Sequence, residues 1–80
     1  MNTQNTLRCN AMLVIYNGYG SSFGTFFKKG DKISDVMDSL KSIRHSHDDL
    51  RARPTYAKLI SDKTDRVLRE WSSREIAAMA

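Results

Sequence analysis

The densest apolar run of the chain, Met12-Leu13-Val14-Ile15-Tyr16, is answered by Phe23, Phe26 and Phe27 across a segment containing Asn17-Gly18 and Gly20. β-Branched and aromatic residues on both sides of a turn-prone stretch predict a β-hairpin over 11–29. A period of two from Leu7 to Tyr16 sets Leu7, Cys9, Ala11, Leu13 and Ile15 on one face, with Arg8, Asn10, Met12, Val14 and Tyr16 on the other. From Met12 onward both faces are therefore apolar. The return strand repeats this more weakly, with Phe23, Thr25 and Phe27 on one side and Phe26 and Lys28 on the other.

After Gly30-Asp31 the period changes. Ile33, Val36, Met37, Leu40, Ile43, His47 and Leu50 recur at three- and four-residue spacing, which predicts an amphipathic helix with its apolar stripe against the sheet. Ser34 is a suitable N-cap, Asp35 and Asp38 suit the positive end of the helix dipole, and Lys41 and Arg44 lie further along. Arg53-Pro54 closes the segment, because proline disfavours helical angles at the residue before it.

From Thr55 two short runs, YAKLIS and RVLREW, flank Asp62-Lys63-Thr64-Asp65 and predict a second hairpin, with Asp65 a candidate for the left-handed conformation. Tyr56, Lys58 and Ile60 alternate with Ala57 and Leu59, and Val67 and Trp71 are expected to share a face. A helix from Thr64 to Met79 competes with this reading, but the Asp-rich punctuation between matched apolar runs favours the hairpin. Ser72 or Ser73 can cap a last short helix over 74–79.

The expected architecture is ββαββ plus a short helix: an α+β fold whose four-stranded antiparallel sheet carries the long helix on one face. Residues 1–6 offer nothing to bury and are expected to be disordered, with a single domain over 7–80. One helix covers only one side of such a sheet. Met12, Val14, Tyr16 and Phe26 project to one side of the first hairpin, and Leu13, Ile15, Phe23 and Phe27 to the other. The short helix is expected to cover part of the second face. The remainder calls either for a homodimer packed sheet to sheet or for an apolar patch on which a partner docks.

Length and charge narrow the classes. Eighty residues hold a thin core, and no apolar run approaches the roughly 18 to 20 residues of a membrane span. The polar start MNTQNTLRCN lacks the basic and apolar segments of a secretory signal, and Cys9 is a lone cysteine, so a cytoplasmic location is expected. The net charge is +4, from 13 bases against 9 acids, but the signs are interleaved throughout. Interleaved charge is what a solvated surface carries, whereas a nucleic-acid groove needs uncompensated bases on one face.

Three stretches invite chemistry. Gly18-Tyr19-Gly20-Ser21-Ser22-Phe23-Gly24-Thr25 resembles the glycine-rich phosphate loop of protein kinases, itself a hairpin turn, with one extra residue between the second glycine and the phenylalanine. The resemblance spans eight residues and stops before any strand lysine, catalytic or metal-binding segment. Without it, the glycines simply supply positive φ and leave Tyr19 exposed at a loop tip. The run Arg44-His45-Ser46-His47-Asp48-Asp49 has metal-ligand chemistry, but on a helix residues two apart point about 200° away from each other. Cys9 is expected as a buried small hydrophobe rather than a nucleophile. No catalytic, cofactor or metal site is expected.

Two classes of function remain. The first is a non-enzymatic protein-binding module with anchors among Tyr16, Tyr19, Phe26, Arg69 and Trp71, the residue types that dominate interface hot spots. In size and style alone it is like the phage and mobile-element proteins that inhibit host machinery by docking on it. The alternative is a small basic nucleic-acid-binding protein using Lys28, Lys29, Lys32, Arg44, Arg51 and Arg53, with stacking from Tyr19 or Tyr56.

Overall fold

A computed structural model describes residues 5–45 and 48–79, with the side chains of Arg44 and His45 outside that description. The elements are β1 (Ala11–Asn17), β2 (Ser22–Phe27), α1 (Ile33–His45), β3 (Pro54–Ser61), β4 (Val67–Trp71) and α2 (Ser73–Ala77), with a 3-10 turn at Leu50–Ala52. The strands form one four-stranded antiparallel sheet in the order β2-β1-β3-β4. This is the expected α+β architecture, and the 62–65 connection is a hairpin with Asp65 at φ 57°.

Order begins slightly earlier than the composition suggests. Thr6 bridges Lys32, the Leu7 amide donates to the Asp31 carbonyl (2.8 Å), and the Gly30 amide donates to the Leu7 carbonyl (2.9 Å). Residues 1–4 of the expected disordered segment lie outside the described residues. β1 starts only at Ala11, because Asn10 turns its side-chain oxygen to the Lys29 amide (2.8 Å) and its carbonyl to the Asp62 amide (2.9 Å). Cys9 thus precedes the strand, half-buried, with its thiol 3.7 Å from the Ser61 hydroxyl.

The first turn of α1 is built on the Lys32 carbonyl, which accepts from Asp35 and Val36. Ser34 therefore lies inside the helix rather than capping it. The apolar stripe also ends sooner than its period implies. Leu50 is 71% exposed in the 3-10 turn, where the Asp49 side chain accepts from the Arg51 amide (3.0 Å) and diverts the backbone; His47 lies outside the described residues. Arg53, at φ −73° and ψ 150°, takes the extended conformation that Pro54 imposes.

The core lies on one face of the sheet. Ala11, Leu13 and Ile15 of β1, Ala57 and Leu59 of β3, and Trp71 of β4 are buried against Val36 and Leu40 of α1 and Ile76 of α2. α2 starts at a capping box in which the Ser72 hydroxyl accepts from the Glu75 amide while the Glu75 carboxylate accepts from the Ser72 amide. Because Ile76 joins the same buried cluster as Val36, α2 packs beside α1. The short helix does not cover the second face as its position in the sequence suggests.

Candidate docking face

Register turns the alternation of each strand into rows across the sheet, since directly paired residues project to the same side. Phe26 pairs with Met12, Met12 with Ile60, and Ile60 with Val67, so one apolar row crosses all four strands on the face opposite the helices. Met12, Phe26 and Val67 are 40%, 46% and 44% exposed. The next row is Gly24, Val14, Lys58 and Glu70, and the third carries Ser22, Tyr16 and Tyr56. Gly24 has its use here: a Cβ at that position would sit 2.7 Å from the Met12 sulfur, so the missing side chain lets Met12 lie across β2.

The polar groups of this face are turned toward one another. The Tyr16 and Tyr56 rings are tilted by 40° with centroids 5.6 Å apart, and the Lys58 ammonium stands 5.7 Å from the Tyr16 ring. Glu70 pairs across the strands with Lys58, so the row is internally compensated. Desolvation, with help from Glu70, pushes the Tyr56 phenol above its ordinary value and keeps it neutral.

Val67 was not legible as a partner of this row. Between Leu59 and Ile60 the register steps from Arg69 to Val67, making Leu68 the extra residue of a bulge. The bulge reverses the side on which Val67 projects, so Val67 and Trp71 do not share a face as alternation predicts. Trp71 is 2% exposed, in line with Ala57 and Ile15, and is a core residue rather than a surface anchor. Arg69 projects to the same side as Leu59, with its guanidinium 5.4 Å from the Trp71 ring, and is spent covering that ring at the sheet margin.

Tyr19 is 54% exposed, as its loop position implies, but it is not free. Its hydroxyl donates to Asp49 and its ring lies 5.3 Å from the Arg51 guanidinium, while the Gly18 amide donates to the Arg51 carbonyl (2.7 Å). The β1–β2 loop is thereby latched to the 3-10 turn before β3. The hydrogen bond to Asp49, with smaller desolvation and charge effects, raises the Tyr19 phenol above its ordinary value. The same loop explains why the likeness to a phosphate loop does not carry over. The Asn17 side chain accepts from the Tyr19 and Ser21 amides, and the Asn17 carbonyl accepts from Gly20. The amides of the loop tip, from Gly18 to Ser21, are thus already bonded within the protein.

The bases proposed for nucleic acid are not brought together. Lys28, Lys29 and Lys32 follow β2 at the end of the sheet where β1 begins, whereas Arg51 and Arg53 precede β3 at the end where β1 finishes. Arg44 belongs to α1 with its side chain outside the described residues. With a rise of about 3.4 Å per residue, the seven-residue β1 holds the two groups roughly 20 Å apart. His45 and His47 of the metal-like run also fall outside the described side chains, and among the described residues no group of three ligands converges. Among the described residues, no helix is long and apolar enough to cross a membrane.

No family model matches this chain, and neither a curated protein nor a solved structure does.

Proposed function

We propose that this protein is a non-enzymatic binding module that docks the uncovered face of its sheet on another protein, acting in the cytoplasm as a stoichiometric inhibitor or adaptor. The observation that carries the reading is the Phe26-Met12-Ile60-Val67 row, left bare because α1 and α2 both pack on the opposite face. Four strands at about 4.8 Å spacing and roughly 20 Å long give a face of about 400 Å², and the apolar row with Val14 forms one contiguous part of it, the kind of patch that is often an interaction site. Among the described cross-strand pairs of this face the one cation is Lys58, matched by Glu70, so the complementary surface is apolar and weakly charged rather than a polyanion. Nucleic acid is the weaker reading, because the bases sit in groups at opposite ends of the sheet.

The test is affinity capture from cells in which the protein acts, comparing the wild type with Phe26→Asp and with Lys41→Ala on the solvent side of α1. Both variants should keep the native circular-dichroism spectrum. The same partner should copurify with wild type and Lys41→Ala and be lost with Phe26→Asp. A partner retained by Phe26→Asp, or capture of nucleic acid that salt releases, overturns the reading.

A further inference from the structure

The sheet has two edges, and only one of them is protected. β4 carries the Leu68 bulge and the charged Arg69 and Glu70, and a groove lined by Thr6, Leu7, Ile33 and Arg69 flanks it. Bulges and charges are the devices by which edge strands avoid pairing. β2, reading SFGTFF, has no charge, no proline and no bulge, and it pairs with β1 in unbroken register from Ser22 to Phe27.

The direction of its free groups follows from one hydrogen bond. The Asn17 amide donates to the Ser21 carbonyl (3.0 Å), which makes Asn17 and Ser21 a hydrogen-bonded pair at the head of the ladder. Bonded and non-bonded pairs alternate in an antiparallel ladder. Phe23, Thr25 and Phe27 therefore bond to β1, and the N–H and C=O groups of Ser22, Gly24 and Phe26 point outward. The Ser61 amide, which donates across to β4 (Arg66 carbonyl, 2.8 Å), fits the same alternation carried through β3.

We propose that β2 is a self-association edge: a second copy of this chain adds its own β2 antiparallel to the first, centred on Gly24, to form a continuous eight-stranded sheet. The argument for a second copy is that the strand is complementary to itself. Centred on Gly24, the pairing sets Phe26 opposite Ser22 and Phe23 opposite Thr25, so each large exposed ring meets a small side chain in the other copy. Phe23 projects to the helix side yet is 43% exposed, while its strand neighbour Phe27 on that side is only 8% exposed. Beside Thr25 lies an open groove of about 410 Å³ lined by Thr25, Asp38, Ser39, Ser42 and Ile43. Phe23 of the second copy, opposite Thr25, would enter that groove and pack on Ile43. Lys28 falls beyond the paired segment, opposite Gly20, so no like charges meet. The assembly also joins the uncovered faces of both copies into one surface about twice as wide, and this consequence alone rests on the docking reading above.

Sedimentation equilibrium and amide hydrogen exchange on the full chain test this together. The expected result is a dimer at tens to hundreds of micromolar. The Ser22, Gly24 and Phe26 amides should then be protected at high concentration and exchange freely on dilution, while Phe23, Thr25 and Phe27 stay protected throughout. Phe23→Glu should weaken the dimer at least tenfold, and Val67→Lys, on the open face but on the far edge strand β4, should leave it unchanged. Ser22→Pro, which removes an outward donor at the first residue of the strand, gives an independent disruption should Phe23→Glu fold poorly. A monomer at all concentrations overturns the proposal, as does fast exchange of the three outward amides within a dimer. A dimer broken by Val67→Lys but not by Phe23→Glu overturns it in favour of face-to-face packing. Phe26 belongs to both surfaces, so partner capture is also read with Val67→Lys, which changes the docking row but leaves β2 intact, and either proposal can fail while the other stands.

Discussion

Leu13 and Met12 are adjacent on β1 and differ in the side of the sheet they face, which makes them a controlled pair. Replacing each by alanine removes a long apolar side chain from the same central strand, so differences in strand propensity cancel to first order. Leu13 is 0% exposed beneath the helices, and Leu13→Ala leaves a cavity that the packed layer fills only partly, at about 3–5 kcal/mol. Met12 is 40% exposed, and water occupies the space that Met12→Ala leaves, so only the transfer of its covered part is lost, about 1 kcal/mol. Against a total of about 4–12 kcal/mol for a domain of this length, the first loss consumes much of the stability and the second does not. At roughly 4–8 °C per kcal/mol, Met12→Ala should lower Tm by about 4–8 °C, and Leu13→Ala by more than about 12 °C or to a state unfolded at room temperature. Thermal and urea denaturation at low micromolar protein measure both, with an unchanged urea m-value for Met12→Ala as the sign that the fold is retained. Equal losses at the two positions would refute the one-sided core. They would mean that the Met12 face is covered in solution, and the Met12→Ala loss should then grow with protein concentration.

The latch between the β1–β2 loop and the 3-10 turn should be sensitive to volume at Gly18. A Cβ there would stand 2.9 Å from the Arg51 carbonyl oxygen and 3.2 Å from its Cα, both backbone atoms, so Gly18→Ala should cost about 1–3 kcal/mol in urea denaturation. The latch should also weaken at alkaline pH on account of Tyr19. Its phenol is raised above the ordinary value near 10.0, so the contribution is complete below the unfolded-state pKa and is lost as pH rises through the folded-state one. Tyrosinate absorbance should show this group titrating late, and Asp49→Asn should return it toward the ordinary value; a Tyr19 unaffected by Asp49→Asn would contradict the hydrogen bond.

What the sequence disclosed and what it withheld divide along local and non-local physics. The apolar run at 12–16 with the glycines after it, the three- and four-residue spacing from Ile33 to Ile43 and the Asp-rich turn at 62–65 each act within a few residues, and both hairpins and α1 follow from them. The Lys32 start of α1 was less visible, because Ser34 is the better capping side chain and only the strand-like pairing of Thr6 with Lys32 fixes where the extended chain stops. Trp71 had the composition of an interface anchor, and its burial depends on α2 folding back so that Ile76 closes the core beside it. The open face was half legible. Met12, Val14, Tyr16 and Phe26 could be placed together from alternation and one turn, but Ile60 and Val67 join them only through the β1–β3 register and the bulge at Leu68, neither of which leaves a local mark. The same bulge that brings Val67 to the open face also blunts β4 as an edge. One extra residue thus completes the apolar row and directs strand addition to β2, where no such device exists.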